Sequence, residues 1–149
     1  MGQMETEVET NVVVQTETKD KYKIAIIGSR TFTDTKKLFD ILDKNFEKIG
    51  MIVSGGAKGA DELGRVYAQE RGFPCLIYYP RWRSVGGDFD RGAGFKRNYE
   101  IIKNCDIVLA FWDGVSNGTR HSLELAKQLN KKIKIVNFKV DPPKEEVVA

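Results

Sequence analysis

One histidine, His121, occurs in 149 residues. A metal centre built on clustered histidines is therefore excluded, and no His/Cys/Asp spacing suggests zinc. The expectation is no metal and no cofactor. A Ser–His–Asp relay has only His121 to use, and nothing in the sequence pairs Ser29, Ser54 or Ser84 with it. Cysteine is equally scarce. Cys75 and Cys105 each lie beside apolar residues at the edge of an element, which reads as two buried free thiols rather than a disulfide. No apolar run is long enough to cross a bilayer. The opening "MGQMETEVET" has neither the basic region nor the apolar core of a secretory signal. Gly2 with Thr6 fits the loose myristoylation pattern, but the surrounding acids oppose membrane binding. A cytoplasmic location with no membrane partner is expected. No G-x-x-x-x-G-K-[ST] is present, which excludes a P-loop NTPase. The G-x-G-x-x-G frame falls on Ser54, Gly56 and Gly59, one glycine short. The next strand, "LIYYP", offers no acid for a ribose, which argues against a nicotinamide dehydrogenase.

What is present alternates. "YKIAIIG" (22–28) is a short isoleucine-rich run. Residues 33–49 then place Leu38, Leu42, Phe46 and Ile49 at helical spacing, with Asp34 near the start. "GMIVSG" is a second run, followed by a helix over 57–71 that Gly72 stops. "PCLIYYP" is a third run. A long Arg- and Gly-rich segment, 80–94, leads to a helix from about Phe95 to Asn104. "DIVLAFW", "SNGTRHSLELAKQLNKK" and "IKIVNF" complete the pattern as strand, helix and strand. Strands apolar on both faces and separated by helices predict a parallel sheet covered on both sides. The fold class is α/β: a Rossmann-like doubly wound sheet of about five strands in a single domain over 22–138. Residues 1–21 read as a flexible acidic arm and 139–149 as a tail. The arm carries five acids against two lysines, a net of −3, so the remainder carries +6 of the overall +3. That excess suits an anionic partner. It is too modest to predict nucleic acid by itself.

The strand ends carry the chemistry. "SGGAKGAD" places Ser54, Gly55, Gly56, Lys58, Gly59 and Asp61 between the second strand and a helix. Glycine there lets a ligand approach the main chain, and the helix start offers unpaired N–H groups and partial positive charge. The same glycines also serve a tight strand-to-helix turn, and for one such loop the two readings stand level. The layout recurs, however. Gly28, Ser29 and Arg30 follow the first strand. Trp112, Asp113, Gly114, Asn117, Gly118 and Thr119 follow the fourth. Three strand ends built alike predict a phosphate-binding pocket. The long segment adds Arg81, Trp82, Arg97 and Asn98. Arginine's planar fork suits phosphate, and Trp82 either stacks on a base or packs under its own loop. His121 is expected on an exposed or groove-facing first turn.

In combination these residues resemble a known family. "GSRTFTD", "SGGAKGADELGRVYAQERG", "YYPRWRS…GAGFKRNYEII" and "DIVLAFWDG…NGTRHSLELAKQLNKKI" follow in the order and at the spacing of the SLOG superfamily, in its YspA-like branch (the domain of unknown function 2493 group), related to the LOG- and DprA-type domains. The resemblance covers roughly residues 22–138. It implies a Rossmann-like domain that binds a nucleotide or nucleotide-derived small molecule, such as an ADP-ribose-like or cyclic-nucleotide signal. It implies a sensing or sequestering role in phage–host conflict, and a homo-oligomer. LOG-type phosphoribohydrolases cleave the N-glycosidic bond of nucleoside monophosphates with a PGGxGTxxE motif. Here Gly118 and Thr119 match the GT pair, but the position of the Glu is Ser122. Glu124 lies two residues on, about 200° further around a helix. The sequence therefore leans towards binding. The alternative is an N-glycosidase using Asp61, Asp113 or Glu124, although aspartates at helix starts are more often caps. A single-stranded nucleic-acid binder ranks third.

Overall fold

In the computed structural model, residues 21–140 are described; the acidic arm up to residue 20 and the tail from residue 141, with Pro142 and Pro143, lie outside them. In chain order the elements are β1 (Tyr22–Gly28), α1 (Thr35–Lys44), a 3-10 turn (Phe46–Lys48), β2 (Ile49–Ser54), α2 (Ala60–Arg71), β3 (Cys75–Ile77), α3 (Ala93–Lys103), β4 (Ile107–Trp112), α4 (Asn117–Gln128) and β5 (Lys132–Asn137). The five strands form one sheet in the order β3-β2-β1-β4-β5, and every pairing is parallel.

The alternation of side chains along β1 explains the layering. Ile24 and Ile26 point to one face, where they meet Leu38 and Leu42 of α1 and Tyr67 and Ala68 of α2. Ala25 and Ile27 point to the other, against Ile101 and Ile102 of α3 and Leu123 and Ala126 of α4. A right-handed crossover at each step places α1 and α2 on one face and α3 and α4 on the other. The change of face falls between β1, the central strand, and its neighbour β4. Their C-terminal loops diverge there and leave a crevice above the sheet.

Several boundaries differ from the sequence expectation. The first helix ends at Lys44 rather than Ile49. Asn45 closes it, with its backbone N–H bonded to Asp43 and Leu42 and its side-chain amide donating to the Ile41 carbonyl at 2.9 Å. Ile49 instead opens β2 and pairs with Tyr22. The ladder to β1 uses its backbone, and a β-branched residue fits a buried strand. Phe46, expected on the buried stripe, is exposed. The second helix begins at Ala60, three residues later than expected, and Gly72 stops it in the left-handed conformation at φ 81°. The third strand is only three residues long, on the sheet edge. The fifth strand is not covered on both faces: Lys132, Lys134 and Ile135 are exposed along it, and lysines on an edge strand oppose pairing with a further chain. Both cysteines are free. Cys105 is buried, whereas Cys75 is only half-buried.

Candidate functional site

The loops at the carboxyl ends of β1, β4 and β2, with α3, surround the crevice. The β1 loop is anchored by Ser29, whose backbone N–H donates to the Phe111 carbonyl at 2.9 Å. Its hydroxyl accepts the Asp113 N–H at 3.1 Å and lies 3.0 Å from the Ser116 hydroxyl. Ser116 Oγ in turn meets both Asp113 carboxylate oxygens at 2.9 Å. Asp113 also accepts the N–H groups of Val115 (2.9 Å) and Ser116 (2.8 Å). Partial burial pushes the Asp113 carboxyl up, but these backbone and hydroxyl donors outweigh it and hold the group below its ordinary range. The Asp113 carboxylate thus folds the β4 loop on itself, ahead of the α4 N-cap rather than as the cap, while the Asp113 N–H ties that loop to Ser29 of the β1 loop.

The β2 loop packs directly on the β1 loop. Gly59 sits at φ +80°, and a Cβ on it would collide with the Ser29 carbonyl and lie 2.7 Å from Arg30 Cα. Part of the glycine signal is therefore close packing of one loop on another, not room for a ligand. Gly64, which the sequence reading passed over, has the same character: a Cβ there would lie 2.8 Å from Ile26 Cβ, so its absence lets α2 approach β1. At Gly55 the reason is different. A Cβ there would lie 2.8 Å from Asp61 Oδ2 and 2.9 Å from Arg97 Nη1, so it would intrude between a carboxylate and a guanidinium from opposite faces of the sheet.

Asp61, in the first turn of α2, is only 8% exposed. It accepts the Ala57 N–H at 3.3 Å. Among the described residues it forms no ion pair. Burial is the main cause that raises its carboxyl from 3.8 to about 6. The Ala57 N–H, the positive charges of Arg97 and Arg30, and the Gly55 N–H oppose the rise without cancelling it. Arg97, half-buried on α3, donates through Nη1 to the Gly55 carbonyl and through Nε to Asn98 Oδ1 at 3.0 Å. Burial lowers its pKa, and the neighbouring Asp61 charge works against that. Arg30 is exposed and donates none of the hydrogen bonds among the described residues.

Two cavities meet at Arg30, Ala57 and Asp61. The inner one, about 270 Å³, lies over β1 and the start of α4 and takes in Ser29, Arg97, Asn98, Gly118, Thr119 and Ser122. The outer one, about 590 Å³, takes in Gly56, Lys58, Gly59 and Tyr79. A third, about 680 Å³, joins them through Tyr79 and Arg97 and is lined by Tyr78, Arg81, Arg83 and Lys96. The helix ends at the crevice share one property. The N-cap residues of α2 (Gly59) and α4 (Ser116) make no side-chain cap hydrogen bond. Asp34, capping α1, accepts the Lys37 N–H at 3.0 Å. The first-turn N–H groups of α2 and α4 thus have no capping side chain.

Ser122, where the phosphoribohydrolase motif has Glu, is buried against the inner cavity. Glu124 is exposed and lines none of the three cavities. Trp112, Asp113, Gly114 and Asn117 shape the β4 loop without lining these cavities; the Trp112 indole donates to the Ser116 carbonyl at 3.2 Å, and Arg120 lies over its ring. Ser54 serves the frame too, its hydroxyl donating to the Asp61 carbonyl at 3.0 Å. The long segment is a closed hairpin rather than a loose loop: Arg83 and Phe89 bridge antiparallel, and Trp82 stacks on Phe89 with ring centroids 5.9 Å apart. Trp82 therefore sits with its own loop. Asp90 accepts the Gly92 N–H at 2.9 Å and pairs with Lys96 at 2.8 Å. His121 lies in α4 away from the crevice, its ring centroid 4.3 Å from that of Phe95. Tyr79 was missed by the sequence reading, although a tyrosine pair directly after a strand end was the available signal. Among the described residues no cluster of His, Cys, Asp and Glu is arranged to hold a metal, and no helix is long and apolar enough to cross a membrane.

No curated protein sequence matches the chain. Among solved structures it is similar to DNA processing protein A (DprA) from Streptococcus pneumoniae, with a TM-score of 0.68 and 18% identity over 80% of this chain and 52% of that one. It is also similar to DNA processing protein A from Helicobacter pylori, described for its single-stranded DNA binding mode, with a TM-score of 0.57 and 23% identity over 85% of this chain and 70% of that one. The chain spans about half the length of the first. These likenesses establish the fold, a five-stranded Rossmann-like sheet of the DprA type. The model of the YspA, cpYpsA-related SLOG family matches residues 22–84, from the first strand to the start of the arginine-rich hairpin. The motif resemblance is thereby upheld over these residues, which are similar to that family.

Proposed function

We propose that the crevice binds the phosphate of a nucleotide-derived small molecule, and that the protein acts by holding this ligand, as a sensor or a sequestering protein. One observation carries the reading: two helix N-termini without side-chain caps and two guanidinium groups border one crevice at the change of face in the sheet. Each element suits an anion, the helix starts through unpaired N–H groups and the arginines through charge-assisted hydrogen bonds. The inner cavity has the scale of a ribose phosphate, and the outer one extends it towards the Tyr79 ring. The family match and the DprA-type fold point to the same general chemistry, nucleotides or nucleic acid. Hydrolysis has less support. Asp113 is engaged by three donors and Glu124 lines none of the cavities, which leaves Asp61 as the carboxylate of the inner cavity.

Arg30→Ala tests the reading. Its side chain is exposed, so the fold should survive, while a lost charge-assisted contact of about 1.5–3 kcal/mol weakens binding about ten- to hundred-fold. Calorimetric titration with nucleoside diphosphates should show this loss, and the corresponding nucleosides should be bound weakly and equally by both proteins. Equal diphosphate affinity in wild type and variant refutes the cradle. Release of free base by wild type, abolished by Asp61→Asn, would instead establish the hydrolase alternative.

A second reading has its own observation. The third cavity sets Arg81, Arg83 and Lys96 beside Tyr78 and Tyr79, next to the crevice. A cationic track with aromatic faces suits a single strand, and the Helicobacter pylori structure is described as binding single-stranded DNA. Oligonucleotide affinity falling steeply with salt would favour it.

A further inference from the structure

Resting on the phosphate reading above, we propose that Asp61 reads a ribose hydroxyl, so that the crevice selects ribonucleotides over their 2′-deoxy counterparts. Asp61 stands at the junction of the inner and outer cavities and lines both. It is more than nine-tenths buried, yet the hydrogen bond it accepts from the Ala57 N–H is 3.3 Å long, and the only other donor beside it is the Gly55 N–H. A carboxylate has about four acceptor positions, and buried polar groups are satisfied in the working state of a protein. Neither Arg30 nor Arg97 forms an ion pair with it. Its remaining acceptor capacity is therefore directed at whatever occupies the crevice.

The chemistry of that occupant follows from charge. A carboxylate repels a phosphate, so the phosphate belongs at the Arg30 side of the inner cavity, over Ser29, Gly118 and Thr119. Next to a carboxylate the fitting partner is a neutral donor, and on a nucleotide the donors nearest the phosphate are the sugar hydroxyls. The base then extends into the outer cavity beside Tyr79. Gly55 lets the carboxylate and the Arg97 guanidinium approach this point together. A site that hydrogen-bonds a hydroxyl discriminates strongly against an analogue lacking it, because its own buried acceptor is left unpaired.

The test titrates the full chain with four ribonucleoside 5′-diphosphates, their four 2′-deoxy counterparts and inorganic pyrophosphate. Wild type should favour at least one ribonucleotide over its 2′-deoxy form by about ten-fold or more. In Asp61→Ala that preference should collapse, while pyrophosphate binds more tightly because a like charge is gone. Asp61→Asn, which keeps the shape, controls for a folding defect, and the wild-type comparison needs no variant at all. Equal binding of ribo- and deoxyribonucleotides overturns the inference and leaves the phosphate cradle standing. A ribose preference that persists in Asp61→Ala overturns the assignment to Asp61. Pyrophosphate binding without nucleotide binding also overturns it. If none of the nine probes binds, the phosphate reading fails and the inference fails with it.

Discussion

Replacing Asp61 by asparagine should make the protein more stable at neutral pH. The native carboxyl titrates at about 6, chiefly because it is buried, against 3.8 for an ordinary aspartate. The native state therefore holds this proton more tightly than the unfolded state. Below pH 4 both states are protonated, and the neutral group contributes its full stability. Between pH 4 and 6 the unfolded state ionises first, so stability falls as pH rises, and it levels off above pH 6. A rise of about two pH units, at about 1.4 kcal/mol each, sets the loss at about 3 kcal/mol. Asp61→Asn keeps the shape and removes the ionisation. The expected outcome is a gain of about 1–3 kcal/mol at pH 7.5, no gain at pH 4, and a flatter pH profile in between. Urea denaturation from pH 4 to 8.5 reads this directly through the transition midpoint. A variant no more stable than wild type at pH 7.5, with the same pH slope, would show that Asp61 is not desolvated as the structure places it. A stabilising change that removes the ribose preference is the pattern expected of a group kept for function.

Gly59→Ala should lower the thermal midpoint strongly, by about 2 kcal/mol or more at φ +80°, because the new methyl meets the Ser29–Arg30 backbone; a variant melting with wild type would refute the loop packing. Asp113→Ala removes the acceptor for the Val115 and Ser116 N–H groups and should destabilise by about 1–2 kcal/mol, with amide exchange rising in both the β1 and β4 loops; a change confined to the β4 loop would sever the proposed tie. Tyr67→Phe loses the 2.8 Å hydrogen bond from a buried hydroxyl to Asp43, so denaturation should show a loss of about 1 kcal/mol with nucleotide affinity unaltered.

Isoleucine-rich runs separated by amphipathic stretches were enough to read the sheet, because a strand buried on both faces has little other way to be written. Ile49 shows the limit. It continues the helical spacing of Leu38 and Leu42, but its backbone is claimed by the ladder to Tyr22, a long-range pairing that no local pattern contains. The glycine loops were legible as a strand-end cluster, yet Gly59 and Gly64 are small for close packing, and spacing alone cannot separate that cause from access to a ligand. Asp61 and Asp113 looked alike as aspartates near helix starts. Their difference lies in partners: the Val115 and Ser116 amides and the Ser116 hydroxyl of its own loop converge on Asp113, whereas the buried Asp61 carboxylate has only backbone N–H groups of the β2 loop beside it. Tyr79 owes its place to the short edge strand β3, whose early end turns the ring over Gly56.

The two helices that end at the crevice each lack a capping side chain, a gap that ordinarily costs about 1 kcal/mol apiece. A bound phosphate would stand where those side chains are missing, so that the ligand completes the fold as much as the fold surrounds the ligand. Without it, the first turns of α2 and α4 are the places where the backbone amides have least to hold them. With it, the amides of residues 61–62 and 117–119 should be among those most slowed in hydrogen exchange, and the whole domain should melt at a temperature set by how much ligand is present. If the proposed phosphate binds there, two helix starts without caps make the stability of the chain itself a measure of ligand concentration.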